Sequence, residues 1–257
     1  MFDQNIQRQS VHESGSGVKI LGCDFETTGL NPDTDLITEI GMVMWDTDLR
    51  MPIKEMGYVV NPGLDAVWSP EVLTVNKLSP EVCAKYGYEY GRAAKQFFLW
   101  YQEADTACAH NGNKVEKPFV KTLAEKYGYD FQPDKLWIDT NTDVPYPPKM
   151  SRKLTYLAAD HKFLNPFPHT ALSDTLTMLV VLDQYPLDRV LELAHSPMVV
   201  IKALVDYHTN ELAKKRGYHA EYKDGKFVKW FKEVKQIFVE QEQTECAEAG
   251  FSIEVIK

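Results

Sequence analysis

The chain has 257 residues, 44% of them hydrophobic and 25% charged, and its 28 Lys and Arg against 37 Asp and Glu give a net charge of -9. That length and mixture describe a globular protein with one sizeable core and a smaller appendage, and exclude a low-complexity or fibrous chain. The acidic balance argues against a nonspecific basic coat for nucleic acid but not against an enzyme acting on it, because acidic metal ligands keep a site negative until cations load it.

Residues 1–17 are polar, have no apolar stretch of the kind a secretory signal needs, and read as a flexible lead-in. Val18 to Cys23 is an apolar strand entering the turn Thr27-Thr28-Gly29, and Leu36 to Trp45 is a long apolar run suited to a central strand. Met56 to Val60 is a third strand, stopped by Asn61-Pro62-Gly63. Ser69-Pro70-Glu71 and Ser79-Pro80-Glu81 are helix starts, with Ser at the cap and Pro at the first helical position. A helix over Gly91–Glu103 and a short strand over Thr106–Ala109 follow. Glu116–Tyr127 carries a helical apolar face of Phe119, Val120 and Leu123, and Leu136–Thr140 is another short strand. Tyr146-Pro147-Pro148 marks a loop, Leu154–His161 resumes a helix, and Thr170–Tyr185 is strongly apolar at helical spacing. Strands first, then helices alternating with short strands, predict an α/β fold with a mixed sheet flanked by helices.

A boundary falls near residue 186, giving units at 18–185 and 186–257. Residues 214–235 hold eight Lys or Arg against three acids, interleaved with Tyr218, Tyr222, Phe227, Trp230 and Phe231. Tyr222 to Phe227 reads as a hairpin around Asp224-Gly225, followed by a polar helix at Val239–Ala249 and a strand at Phe251–Ile256, a small α+β module. Two readings of this module stand side by side. Its basic and aromatic residues meet phosphates and bases as in single-strand binders, or they form an amphipathic hairpin with a small core and solvated lysines. No apolar run approaches the roughly 20 residues that span a bilayer, so no membrane is expected. Cys23, Cys83, Cys108 and Cys246 lack any C-x-x-C spacing; they read as small core residues of a cytoplasmic protein.

The residues that carry chemistry sit at both ends of the first unit. Asp24 and Glu26, at i and i+2 on a strand, share one face while Phe25 takes the other, so both carboxylates can meet one hard cation such as Mg²⁺. A solvated strand edge is the ordinary alternative for such a pair. In Pro168-His169-Thr170-Ala171-Leu172-Ser173-Asp174, His169 lies in the loop before the last helix and Asp174 in its first turn, so both can face one cleft. Alone, either would be a cap or a solvated residue; together with Asp24 and Glu26 they favour a site.

The stretches DFETTGL (24–30), AHNGNKVEKPF (109–119) and HTALSD (169–174) resemble, in order, the three motifs of the DEDDh 3′–5′ exonucleases, the DnaQ-like or RNase T-like family. The strand LWIDT (136–140) falls in its place between the second and third, and the resemblance covers about residues 18–185. It implies an RNase H-like core with a five-stranded mixed sheet, and hydrolysis of terminal phosphodiesters to nucleoside monophosphates with two divalent metals, Mg²⁺ with Mn²⁺ able to substitute. It makes Asp24, Glu26 and Asp174 metal ligands and His169 the general base. The second motif departs: no Asp lies between Thr106 and Tyr129, and the carboxylate available is Glu116, six residues after His110, a spacing that resembles the exonuclease I branch. Glu116 is taken as the remaining catalytic and metal-binding acid. If it is an ordinary first-turn helix Glu, Asn111, Asn113 or water completes the site. Thr27, Leu30 and Asn111 fall where the resemblance places substrate contacts, with turn capping and core packing the equal alternative for Thr27 and Leu30, and Asp139 is read as structural. The expected function is a 3′–5′ exonuclease acting on single-stranded 3′ ends, DNA favoured over RNA. An RNA-trimming enzyme or a catalytically silent nucleic-acid binder are the rivals.

Overall fold

The computed structural model describes residues 17–75, 78–147 and 149–256; residues 1–16 of the expected lead-in and Pro148 of the expected loop lie outside them. The chain divides into two compact units, one ending at Leu187 and one beginning at Asp188. Among the described residues no helix is long and apolar enough to cross a membrane.

In the first unit β1 (Lys19–Thr27), β2 (Ile37–Asp46) and β3 (Met51–Asn61) form an antiparallel meander. Helices α1 (Pro70–Val75) and α2 (Pro80–Tyr86), strand β4 (Tyr88–Glu89), helix α3 (Tyr90–Glu103), strand β5 (Thr106–Ala109) and helix α4 (Glu116–Tyr127) follow. Strand β6 (Trp137–Asp139) and helices α5 (Leu154–Asp160) and α6 (Ala171–Leu182) complete it. The sheet order is β4-β3-β2-β1-β5-β6, with β5 parallel to both β1 and β6, an RNase H-like mixed sheet flanked by helices. It has six strands rather than the expected five because the two residues of β4 add to the β3 edge. The helix starts at Ser69 and Ser79 form as expected, each hydroxyl accepting the backbone N–H three residues on.

β1 shows why the sheet is buried on both faces. Its odd residues, Leu21, Cys23 and Phe25, join a core with Phe97, Phe98 and Tyr101 of α3 and with Phe119, Val120 and Leu123 of α4. Phe25 meets the Phe97 ring edge-on at 5.4 Å. The even residues face α6, and there the sheet is lined with glycine. A Cβ on Gly22 would stand 2.6 Å from Leu179, one on Gly57 2.7 Å from Leu172, and one on Gly41 2.2 Å from the carbonyl carbon of Ala171. These three bare positions let α6 lie almost on the backbone of the sheet, which brings its first turn to the end of β1.

The second unit contains α7 (Leu187–His195) from its second residue on, then β7 (Met198–Leu204), α8 (Asn210–Lys215), β8 (His219–Lys223), β9 (Lys226–Lys235), α9 (Val239–Glu248) and β10 (Ser252–Val255). Its antiparallel sheet runs β10-β7-β9-β8. The expected hairpin is β8–β9, with Asp224 and Gly225 at φ of 52° and 72° in the turn. The expected helix and final strand are α9 and β10. Helix α7, strand β7 and helix α8 are additions to the expected module. Val199, Ile201 and Ala203 of β7 pack with Ala213, Tyr218, Val239, Cys246 and Phe251 in a core of its own.

Candidate active site

β1 outruns β5: their pairing covers only Ile20 to Gly22 of β1, so Asp24 and Glu26 project at the open end of the sheet on the α6 side. Asp24 is half-buried, and its carboxyl is pushed well above the usual range first by loss of solvent around it, then by the charges of Glu116, Asp174, Glu26 and Glu39. Glu39 lies directly across from Glu26 in the β1–β2 register. It accepts the backbone N–H of Ala171 at the start of α6, yet burial and the charge of Asp174 keep its own carboxyl raised.

His169 and Asp174 arrive from the loop and first turn of α6, as the sequence predicts. Asp174 accepts the His169 backbone N–H at 3.0 Å and the Asn165 side-chain amide at 2.5 Å, while Ser173 Oγ donates to Asn165 Oδ1 at 2.6 Å. His169 takes a left-handed backbone, φ 63°, which the bond to Asp174 holds in place. One ligand atom each from Glu26, His169 and Asp174 lies within 4.8 Å of the others.

Glu116 joins this group. It sits in the first turn of α4 at 3% exposure, and its Oε2 has no hydrogen-bond partner. Burial raises its carboxyl, the backbone N–H groups of Glu116 and Phe25 oppose that, and the charges of Asp139 and Glu26 add to it. Asp139 is occupied elsewhere: its carboxylate accepts the N–H groups of Asn111, Asn113 and Asn141 at 2.9–3.1 Å and so ties down the 110–113 loop. Asn111 is thereby held at φ 69° on the cleft wall. Thr27, the last residue of β1, is buried, its hydroxyl donating to the Gly29 carbonyl at 2.6 Å, whereas Leu30 stands 75% exposed. His110 is held through both ring nitrogens, to Thr140 Oγ1 and the Arg152 carbonyl.

Among the described residues no lysine or arginine pairs with Asp24, Glu116 or Asp174. A buried Glu116 with an orphaned oxygen, grouped with half-buried Asp24 and Asp174, lacks a counter-charge, and hard oxygen donors with one imidazole suit a divalent cation such as Mg²⁺ or Mn²⁺. Beside the acids opens a cavity of about 740 Å³ lined by His110, Asn111, Arg152, Lys153, His169 and Asp174. Sequence reasoning misses Glu39, Asn165, Arg152 and Lys153. A lone carboxylate inside the apolar run Ile37–Trp45 is the signal for Glu39; the others carry none, being exposed-type residues in loops.

The RNase T exonuclease family model matches residues 21–182. In the solved structures, exonuclease I aligns with 68% of this chain at 14% identity and a TM-score of 0.58, and the chain spans 43% of that protein's length. E. coli exonuclease I in complex with a dA16 oligonucleotide covers 91% of this chain and 68% of its own, at 12% identity and a TM-score of 0.62. The nuclease domain of 3'hExo, a DEDDh family member bound to rAMP, covers 68% and 93% at 16% identity and a TM-score of 0.52. No curated protein matches the sequence. At such identities the structures speak for the fold, and the family model speaks for the lineage: this chain belongs to the RNase T exonuclease family, and residues 21–182 are an exonuclease domain of the DEDDh type.

Proposed function

We propose that the chain is a metal-dependent 3′–5′ exonuclease that removes nucleoside monophosphates from single-stranded nucleic acid, DNA in preference to RNA. The observation that carries this reading is the convergence of Glu26, His169 and Asp174 within 4.8 Å, beside half-buried Asp24 and an unpartnered Glu116 oxygen. Asp24, Glu26, Glu116 and Asp174 would hold two Mg²⁺, or Mn²⁺ in their place. When bound, the ions supply Lewis-acid stabilisation of the charge that develops on the phosphate.

The chain's own residues do the rest. His169, exposed at the cleft mouth, accepts the proton of the attacking water on its imidazole and passes it to solvent. Its backbone is oriented by Asp174, and Asp174 in turn by Asn165 and Ser173. Arg152 and Lys153 on the cleft wall meet the phosphates of the bound strand. Leu30 packs against the terminal base, and Thr27 and Asn111 shape the floor and wall around the sugar. The DNA preference rests on the spacing of Glu116 and on the oligonucleotide complexes of E. coli exonuclease I. A ribonuclease reading has one observation in its favour, the rAMP bound to the 3'hExo domain. Four free, buried thiols fit the cytoplasm.

The test is incubation of 3′- and 5′-labelled single-stranded DNA and RNA with the protein and Mg²⁺ or Mn²⁺. Stepwise loss of mononucleotides from the 3′ end is expected, faster on DNA and abolished by Asp24→Asn. Binding of both polymers without cleavage of either would sink the enzyme reading and leave a silent binder.

A further inference from the structure

The second unit holds a pocket of about 500 Å³ whose lining includes Tyr207, Tyr222, Phe227 and Trp230 together with Asp206 and Asn210. A local irregularity builds it. Tyr222 pairs with Phe227 but Glu221 pairs with Lys229, so Val228 is an extra residue in β9. In a regular strand Phe227 and Trp230, three apart, would face opposite sides. The bulge turns both to the same side, with ring centroids 6.3 Å apart, and Tyr222 stands 6.0 Å from Phe227. Three of the rings are not core, Tyr207 being 85%, Tyr222 65% and Phe227 52% exposed, while Trp230 is half-buried and packs against the small core behind them.

Charge narrows what the rings can take. Asp206 is used within its own turn, its Oδ1 accepting the N–H groups of His208 and Thr209 and the Thr209 hydroxyl, so it offers little to a cation. The hairpin tip beside the pocket carries Lys223 opposite Lys226. Among the described residues neither has an ion-pair partner, whereas Lys214, Arg216, Lys229 and Lys232 all do. Unpaired cations next to exposed aromatic faces match a polyanion that carries stackable rings. We propose that this pocket is a nucleobase-stacking site for single-stranded nucleic acid, with Lys223 and Lys226 meeting the flanking phosphates. The inference rests on the nucleic-acid reading of the first unit and adds a second place where the strand is held.

The experiment uses the full chain in a chelator, so that nothing is cleaved, with a fluorescein-labelled oligothymidylate of about 20 nucleotides. Tyr222→Ala is expected to weaken binding roughly 5- to 100-fold and Tyr222→Phe to restore it, because the ring face and not the hydroxyl does the stacking. Joint Lys223→Gln and Lys226→Gln should flatten the salt dependence of binding. An oligonucleotide carrying 5-iodouracil should cross-link on irradiation to peptides within 205–231. Unchanged affinity in Tyr222→Ala, or cross-links confined to residues before 188, overturns the proposal. So does a sedimentation equilibrium in which Tyr222→Ala disperses a dimer and leaves oligonucleotide affinity intact. Hydrolysis of thymidine 5′-monophosphate p-nitrophenyl ester by the unsubstituted protein with Mg²⁺ tests the first unit alone. Failure there removes the nuclease reading without touching the binding result.

Discussion

Asp24, Glu26, His169 and Asp174 are legible in the sequence because each sits within a contiguous run whose backbone shape is nearly forced: a strand end for the first pair, a helix entry for the second. Glu116 is harder to place, since a first-turn Glu is stabilised by the helix dipole whether or not it binds metal. Its burial and its orphaned oxygen support the proposal that it belongs to the site. Without metal its carboxyl is pushed up to about 8, so folding near neutral pH requires it to take up a proton, and replacement by Gln, neutral in both states, removes that cost. The metal-free protein should therefore gain stability, about 1 kcal/mol or a few degrees in Tm, while Mn²⁺ affinity by calorimetry and turnover both fall at least about 100-fold. A variant that loses stability and keeps turnover would return Glu116 to the role of an ordinary helix residue. Glu39 is invisible to motif reasoning because its part depends on strand register: it faces Glu26 and receives the first N–H of α6. Glu39→Gln, which keeps an acceptor for Ala171, should retain most turnover. Glu39→Ala should cost roughly 10- to 100-fold in kcat with little change in KM, measured on the same labelled strand.

Among the elements, α6 has the most to do, since it carries Asp174 and its approach is set by three glycines. Gly41 and Gly22 make opposite predictions from the same kind of contact. A methyl on Gly41 would meet the backbone of Ala171, which cannot move without the whole helix, whereas one on Gly22 would meet the branched end of Leu179, which can rotate. Gly41→Ala is expected to destabilise by roughly 3 kcal/mol and to abolish turnover through displacement of Asp174, and Gly22→Ala by about 1 kcal/mol with turnover largely kept. Urea unfolding alongside single-strand hydrolysis checks both, and equal effects would mean that the helix is free to slide. The same scale shows where sequence reading thins. β3 begins at Met51 and not at Met56, because its first half is exposed edge rich in Lys54 and Glu55 and shows no apolar alternation. β7, in sequence an apolar run broken only by Lys202, fits a strand or a short buried helix, and only its pairing with β9 and β10, with every second residue buried, settles it.

At the scale of the whole molecule, the two units differ in how they are held together, and that difference can be titrated. The first unit rests on a broad aromatic and aliphatic core. The second has a small core, and at its edge Glu242 is buried while accepting from Lys232 Nζ at 3.0 Å, Arg216 Nη2 at 3.3 Å and the Tyr218 hydroxyl at 3.2 Å. Burial by itself raises a carboxyl, but here the bonds and charges of Lys232 and Arg216 outweigh it and hold Glu242 below its usual range. A carboxylate whose folded pKa is depressed contributes stability that is present in full above its unfolded value, about 4.3, and is lost as pH falls through the folded value. Above pH 5 this contribution is constant. Below about pH 4.3 it declines, and the neutral acid leaves Lys232 and Arg216 without their anion. Hydrogen exchange on the full chain should therefore show amides of Ile201 and Ala203 in β7 losing protection between about pH 4.5 and pH 3, ahead of those of Met42 and Val43 in β2. In Glu242→Gln the β7 amides should start less protected at neutral pH, because the charge is already gone, and should change less across the same interval. A wild-type β7 that keeps its protection down to pH 3 would show that the small apolar core holds the second unit by itself and that the buried ion cluster adds nothing to it.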